Sequence, residues 1–264
     1  MAGCNVRPVD MDDIGMKQHV FPAVLAVSAV LAAPARADLP KVDPSLQGWK
    51  PEAELGLVAT TGNSDTASAR GRFGLKGVTA AWLHDHYLSV LRAEESGQAT
   101  ADRFEAGAKV GRLFGERRYL AGVGRYENDD FGAYAHQSTL ALNYGAWLIR
   151  DEDKSLQAEF GPGLRQARDA ETREFQRDGL LRGYADYRHQ LTGTTRFFNT
   201  FLVEAGRDNI FAQNDIGLQV SINASLALKA SLQARHNTEV QPGTERTDTL
   251  SSITIVWSPA PKAD

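Results

Sequence analysis

One stretch of the chain decides its fold class: Leu226-Ala-Leu-Lys-Ala-Ser-Leu-Gln-Ala-Arg235. From Leu228 onward every even position is apolar and every odd position is polar or charged. This period of two residues is typical of a β-strand, whose successive side chains point to opposite faces. The same alternation occurs in residues 138–149, 155–165 and 216–223. The polar faces are too rich in charged and amide groups for a dry core, so these strands are predicted to have one wet face.

The alternation continues along most of the chain, interrupted by turn residues. Strands are predicted near residues 50–60, 67–79, 84–94, 103–114, 119–128, 137–149, 155–168, 176–190, 196–206, 213–223, 226–238 and 247–257. We therefore predict an all-β fold, a transmembrane antiparallel up-and-down β-barrel of about twelve strands.

An export signal is expected at the N-terminus. An apolar run from Val20 to Ala33 is followed by Ala35-Arg36-Ala37, which has the small-x-small form of a signal-peptidase site. The prediction divides the chain into an N-terminal extension and signal peptide (1–37), a periplasmic segment (38–48), the barrel (49–258) and a C-terminal tail (259–264). We expect the residues before Met16 to reflect an upstream start codon, since a signal peptide normally opens with the Met-Lys found at 16–17.

Composition excludes several classes of function. The chain has 29 basic and 33 acidic residues, so it has no strongly positive field that would hold nucleic acid. Its single cysteine, Cys4, precedes the apolar run, which leaves the body of the protein without a disulfide or a cysteine metal site. No cofactor is expected.

Three features favour the membrane barrel over its main rival, a soluble lipocalin-like barrel with its apolar face turned inward. They are strand lengths that span a membrane at a tilt, unequal loop lengths at the two ends, and apolar faces of Leu, Ala, Val and aromatic residues rather than large interlocking core residues. Short connections are predicted at 115–118, 151–154, 191–195 and 223–225, and longer ones at 95–102, 128–136, 168–175, 207–214 and 239–246. Short periplasmic turns and long outer loops are typical of outer-membrane barrels. Four tryptophans also fall at the predicted periplasmic rim, where an interfacial girdle is expected: Trp49, Trp82, Trp147 and Trp257.

If the apolar faces meet lipid, the charged residues between them face the lumen. The lumen-facing candidates are Glu52, Glu54, Arg70, Arg72, Lys76, Glu105, Lys109, Glu159, Arg165, Lys229 and Arg235. Both signs occur in similar number, which suits a lumen filled by salt bridges and water or a narrow pore, and does not favour strong ion selectivity.

The stretch Glu54–Thr66, with its Gly62-Asn63-Ser64-Asp65-Thr66 signature, resembles the opening of the YdiY-like, salt-induced outer-membrane protein family, a domain of unknown function. Asp102-Arg103, Gly161-Pro162-Gly163 and the segment from Asn237 to Gly243 extend the resemblance over nearly all of the exported chain. It implies an outer-membrane barrel without an established activity. One departure is that Ser258 to Asp264 follow Trp257, whereas many outer-membrane proteins end on an aromatic residue.

The other candidate sites each have a structural explanation that is simpler than a functional one. Gly62–Asp65 has the chemistry of a tight turn. His84 and His86 have the spacing of a metal pair, but no third convergent ligand is evident, so no metal site is predicted. Ser138 near His136 and Ser64 near Asp65 supply catalytic residue types, yet no nucleophile motif occurs and no catalytic residue is predicted. Loop charges such as Glu171 and Arg173 are expected to face lipopolysaccharide.

These observations predict a monomeric, non-enzymatic outer-membrane barrel of a Gram-negative bacterium. It is expected to act either as a narrow pore for small polar solutes or as an envelope component during salt or osmotic stress. Expected partners are outer-membrane lipid, lipopolysaccharide and the barrel-insertion machinery. The alternatives are a lipid-modifying membrane enzyme and a soluble periplasmic ligand-binding barrel.

Overall fold

The structure is a computed structural model that describes residues 48–60, 66–79, 81–132, 134–170, 172–240 and 245–260. The predicted signal peptide, residues 38–47 and the Gly62–Asp65 motif lie outside the described residues. Within the described ranges, no helix has the length and apolar character needed to cross a membrane.

Twelve β-strands make up most of the described chain, each where the alternating pattern predicted one. Their bounds are Gly48–Thr60 (β1), Thr66–Thr79 (β2), Trp82–Glu95 (β3), Gln98–Leu113 (β4), Arg118–Asp129 (β5), Tyr134–Arg150 (β6), Lys154–Asp169 (β7), Phe175–Gln190 (β8), Thr195–Gly206 (β9), Ile210–Ser221 (β10), Leu226–Asn237 (β11) and Thr247–Trp257 (β12). The largest difference from prediction is at β4, which begins at Gln98 rather than near residue 103.

Each strand pairs antiparallel with its neighbours in sequence, and β1 also pairs with β12, so the sheet closes into a barrel. This confirms the predicted all-β, up-and-down barrel of twelve strands. Because the number of strands is even, the start of β1 and the end of β12 lie at the same end of the barrel. We call this the terminal end, and the opposite end the distal end.

The two faces of the sheet differ as the sequence predicts for a membrane barrel. In β11, Leu228 and Leu232 are 43% and 46% exposed, whereas Gln233 and Arg235 are only 8% and 5% exposed. The exposed apolar set from the other strands includes Leu55, Phe73, Leu88, Val90, Leu140, Leu142, Phe160, Leu164, Ile253 and Ile255. A soluble barrel would bury this face inward. The apolar side chains therefore lie on the outside, and the charged ones share the interior.

The predicted contrast between short turns and long loops is wrong for two of the five predicted long loops, whereas the connection between Asn237 and Thr247 keeps its predicted length. At the distal end, β3 and β4 are joined by Ser96 and Gly97 alone, and β9 and β10 by residues 207–209. Ser96 and Gly97 have positive φ values of 51° and 78°, and two such residues match the right-handed twist of a tight hairpin. The strands therefore continue through segments that had been expected to form long loops.

The closing pair of strands has a short register. Among the described residues, β1 and β12 are paired at Ala53–Trp257, Glu54–Val256 and Leu55–Ile255, whereas β1 is paired with β2 along its whole length. Beyond Leu55, the distal part of β1 is therefore paired in register with β2 on one side but not with β12 on the other. We call this junction the β1–β12 seam.

Gly56 lies where the registered pairing of the seam stops. A Cβ atom at this position would lie 2.8 Å from Thr254 Cγ2 and 2.9 Å from the Ile253 carbonyl oxygen. Both distances are shorter than ordinary van der Waals contact, so only glycine lets β12 approach β1 this closely.

We expect Gly56→Ala to lower the free energy of unfolding by about 1–3 kcal/mol, because the added methyl group must push the two closing strands apart. The measurement is urea unfolding of the refolded protein in detergent micelles. Gly179→Ala in β8 is the matched control, since a Cβ there meets nothing within 4 Å. Equal destabilisation by the two variants would contradict this account of the seam.

Candidate functional site

The terminal end of the interior holds an apolar cluster along strands β2 to β6, which we call the terminal plug. Its buried members are Val78, Ala81, Leu83, Leu113, Tyr119 and Ala121, and Trp147 packs against them. The Tyr119 ring centroid lies 5.1 Å from that of Trp147. A Cβ at Gly145 would lie 2.1 Å from Tyr119 Cζ, so this glycine makes room for the ring. Tyr119 itself is fully buried.

The expected tryptophan girdle does not include Trp147, and this is a correction. Trp49 and Trp257 are 48% and 45% exposed, and Trp82 lies beneath the Arg112 guanidinium at 5.4 Å. Trp147 instead packs on the terminal plug. Trp147 and Asn143 are four residues apart on β6, so the two-residue period of the strand places both on the same face. This period could have predicted that the Trp147 side chain points inward.

Above the plug, Glu159 on β7 collects donors from four strands. It accepts hydrogen bonds from Lys109 Nζ at 2.5 Å, Tyr119 Oη at 2.7 Å, Asn143 Nδ2 at 3.1 Å and Arg182 Nη1 at 3.4 Å. Its side chain has no exposed surface. A buried carboxylate is tolerable only when its oxygens are paired in this way, because its removal from water costs several kcal/mol.

A second buried carboxylate, Glu204 on β9, lies next along the interior. It accepts hydrogen bonds from Arg125 at 3.0 Å and Thr139 at 3.3 Å, and Arg182 Nε lies 3.7 Å away. Arg182 therefore links Glu204 to Glu159. Glu204 is 0% exposed.

The chain of charges continues towards the distal end through β5 and β11. Arg125 also binds Glu127 at 2.9 Å, and Arg235 binds Glu127 at 2.7 Å and Asp129 at 3.4 Å. Arg103 then binds Asp129 at 2.7 Å. We call this alternating series the ion-pair ladder: Lys109, Glu159, Arg182, Glu204, Arg125, Glu127, Arg235, Asp129 and Arg103.

The distal end is covered near β7 to β11 by a second set of polar contacts. Arg165 binds Asp178 at 3.2 Å and donates to the Asn209 carbonyl at 2.9 Å. Asn209 is buried and its amide donates to Asn237 at 2.8 Å. The Arg207 backbone N–H donates to Asp178 at 2.7 Å. These contacts hold the β9–β10 connection against the barrel.

A small polar cavity lies in the distal half of the interior, on the other side of the ladder, and we call it the distal cavity. It holds about 40 Å³ of free space. Its lining residues are Arg70, Arg72, Ser89, Leu91, Arg103, Glu105, Gln213, Gln233 and Leu250. Three arginines and one carboxylate therefore surround it.

The structure places all eleven lumen-facing candidates on strand positions that face the interior, but it does not bring them into one site. Glu159, Lys109 and Arg235 belong to the ladder, while Arg70, Arg72 and Glu105 line the distal cavity. Three pairs lie apart from both groups: Glu54 with Lys229 at 3.0 Å, Lys76 with Asp85 at 3.5 Å, and Arg165 with Asp178. Glu52 is exposed near the terminal end of β1.

Several charged residues of the ladder are not among the lumen-facing candidates predicted from the sequence. Arg125, Glu127 and Asp129 occupy alternate positions of β5, so the period of two could have identified them. Arg182 likewise shares the even positions of β8 with Asp178 and Asp186, whereas Glu204 lies among apolar and small neighbours without such a series. Glu204 is the register partner of Arg182 on the neighbouring strand, and only the closed barrel brings it to Arg125 on β5.

The histidine pair lies on the outer face of the barrel. The rings of His84 and His86 are 5.9 Å apart, and Trp49 packs 4.9 Å from His84. In the ranges that the structure describes, no group of three potential His, Cys, Asp or Glu ligands is found.

The fold and the interior define a class of protein: a closed twelve-stranded β-barrel that is apolar outside and charged inside, the architecture of outer-membrane barrels. Residues 53–258 match the family described as "Protein of unknown function, DUF481", and the chain belongs to that family. It is similar to the uncharacterized protein YdiY of Escherichia coli (strain K12), with 24% identity over 208 residues, 77% of this chain and 80% of that one.

Solved structures of similar shape include two porins and an autotransporter domain. The NanC porin is 8% identical with a TM-score of 0.49, covering 81% of this chain and 100% of that one. The translocator domain of the autotransporter NalP from Neisseria meningitidis is 13% identical with a TM-score of 0.46, covering 89% and 93%. The KdgM porin is 10% identical with a TM-score of 0.43, covering 80% and 98%. At these values the similarity does not extend to a function.

We expect Glu204→Gln to lower the free energy of unfolding by about 3–5 kcal/mol, because it leaves the buried charges of Arg125 and Arg182 short of a partner. The measurement is the urea unfolding midpoint in micelles. Glu94→Gln is the control, because the Arg92–Glu94 pair is exposed, with side-chain accessibilities of 66% and 45%, and exposed pairs contribute about 0–1 kcal/mol. A smaller loss of unfolding free energy in Glu204→Gln than in Glu94→Gln would contradict the assignment of Glu204 to a buried ion-pair ladder.

Proposed function

We propose that the protein is an integral outer-membrane β-barrel of a Gram-negative envelope whose interior is closed to the passage of solutes. The observation that carries the proposal is the ion-pair ladder, whose side chains come from β4, β5, β7, β8, β9 and β11 and meet in the interior above the terminal plug. The narrow pore expected from the sequence is the second candidate. It requires the side chains of the ion-pair ladder to move apart.

The outer-membrane location is supported by the outward apolar face. Large side chains such as Leu164 and Ile253 are 68% and 62% exposed, and a patch of this kind around a whole barrel would aggregate in water. Closed barrels and helices are the structures that satisfy every backbone hydrogen bond within a bilayer. Trp49 and Trp257 at the terminal end suit an interfacial position.

The closed state is supported by burial in the interior. Tyr119, Asn143 and Glu204 each have 0% exposed surface although they belong to different strands and different heights of the lumen. In an open porin the inward residues would border a water-filled channel. A side chain without solvent contact borders no such channel.

A closed barrel suits the envelope role in salt or osmotic stress that the family name, salt-induced outer-membrane protein, suggests, since it adds no leak to the membrane. The buried ion pairs support this role further, because salt screens buried pairs much less than exposed ones. Lipid, lipopolysaccharide and the barrel-insertion machinery are the partners that such a monomeric barrel requires.

A lipid hydrolase is the enzymatic alternative, and its candidate residues gain little support. Ser138 and His136 lie on the outer face of β6, two positions apart, but no hydrogen bond joins them in the described part of the chain. The His136 ring packs instead 5.9 Å from Phe175. Ser64 and Asp65 lie outside the described residues.

We expect the full-length chain, expressed in a Gram-negative host, to fractionate with the outer membrane and to run faster on a gel before heating than after. A folded barrel resists detergent until it is heated, so heat-dependent mobility reports closure of the sheet. A protein found freely soluble in the periplasm would overturn the membrane proposal.

We expect no discrete conductance from the purified protein in planar bilayers. Replacing Tyr119 and Arg182 together with alanine removes two long side chains that flank Glu159, and intermittent conductance is expected from that variant. The matched control replaces their outward neighbours Leu120 and Leu181, which are 37% and 51% exposed. Steady conductance of the unaltered protein would favour the narrow pore instead.

A further inference from the structure

The distal cavity is lined by β2 and β12, the two strands that flank β1 at the seam: Arg70 and Arg72 lie on β2 and Leu250 on β12. Arg70 on β2 is paired in register with Gly56 on β1, and because Gly56 has no side chain, Arg70 can cross the inner face of β1. Its Nη1 donates to Ser252 Oγ on β12 at 3.3 Å, and its Nη2 lies 3.9 Å from Asp215 on β10. The guanidinium of Arg70 thus spans the seam from the inside.

The wall in front of this cavity is the least paired part of the barrel. Registered pairing of β1 with β12 ends at Leu55–Ile255 among the described residues. Beyond it, Leu57 and Val58 are 69% and 53% exposed although they point to opposite faces of the strand. An unpaired strand edge beside a membrane can separate from its neighbour more easily than a fully paired one.

The chemistry of the cavity favours an anion with several oxygens. Arg72 contacts the Tyr87 ring at 4.1 Å, and within the described residues no carboxylate lies within ion-pair distance of it. Arg103 uses Nε for Asp129, which leaves other N–H groups of its five available. Glu105, the acidic residue of the lining, accepts a hydrogen bond from the Tyr87 hydroxyl.

The lining holds three guanidinium groups and one carboxylate, so its own charge is net positive. Planar guanidinium groups bind phosphate oxygens with paired N–H donors. A free space of 40 Å³ has room for about three water molecules. That is the size range of one phosphate group and not of a sugar.

We propose that the distal cavity binds the phosphate group of a membrane lipid, which enters sideways through the β1–β12 seam. Arg70 and Arg72 hold the phosphate oxygens, and the acyl chains stay outside against Leu57 and the outer face of β12. The lipid as source rests on the proposed membrane location, whereas the phosphate chemistry of the cavity does not.

The test uses the full chain refolded in dodecyl maltoside, so that no lipid is carried over. Phosphatidylglycerol is added and its binding measured by native mass spectrometry, with a galactosyl diacylglycerol as the lipid that lacks phosphate. Inorganic phosphate alone is titrated by calorimetry. We expect one phosphatidylglycerol to bind, the galactolipid not to bind, and inorganic phosphate to compete.

The variants distinguish binding in the distal cavity from nonspecific attraction of the anionic lipid to positive charge elsewhere on the barrel. Arg72→Gln is expected to weaken phosphatidylglycerol binding about tenfold or more, since it removes a charge-assisted contact, and Arg72→Lys to weaken it less. Arg92→Gln is the matched control: Arg92 pairs in register with Ala69 at a similar height but is exposed on the outer face. Heat-dependent gel mobility verifies that each variant is folded.

Each outcome decides the proposal. Loss of binding in Arg72→Gln but not in Arg92→Gln supports the site. No binding by the unaltered protein, or equal loss in the two variants, overturns it. Binding of inorganic phosphate without the lipid assigns the cavity to a free anion and overturns entry through the seam. Failure of the membrane proposal is separate, because it is measured by cell fractionation.

Discussion

Closure of the sheet is the constraint on which the rest of this structure depends. Once β1 meets β12, every second side chain of twelve strands points into one shared interior. The inward side chains then have only one another as partners. Glu159 and Glu204, which would be solvated on an open sheet, become fully buried. Their pairing with Lys109, Arg125 and Arg182 is therefore a consequence of closure as much as a support for it.

The interior changes in character from one end to the other. The terminal plug is apolar, the ion-pair ladder is charged and fully packed, and the distal cavity is charged with free space. Buried ion pairs contribute little net stability compared with apolar packing, because desolvation offsets much of their attraction, but breaking one of them is costly. A continuous ladder is thus better suited to holding one defined arrangement of strands than to adding stability.

The seam and the filled interior have different consequences for access. The terminal plug and the ion-pair ladder lie inside the barrel along its axis, while the short register at Ala53–Trp257 to Leu55–Ile255 leaves the wall least paired beside the cavity. Gly56 connects the two features, since the absence of a side chain there allows both the approach of β12 and the crossing of Arg70. The proposed phosphate site follows from this combination rather than from either feature alone.

The sequence by itself determined the strands and the sorting of their faces, because a period of two is a local property of the extended chain. It predicted all twelve strands, and it identified Lys109 and Glu159 as inward residues. It did not predict the two-residue Ser96–Gly97 hairpin, whose turn depends on positive φ values, or the inward packing of Trp147. Only the tertiary structure decided that Glu204 meets Arg125, because these residues lie on strands that are not neighbours and become partners only when the barrel closes around them.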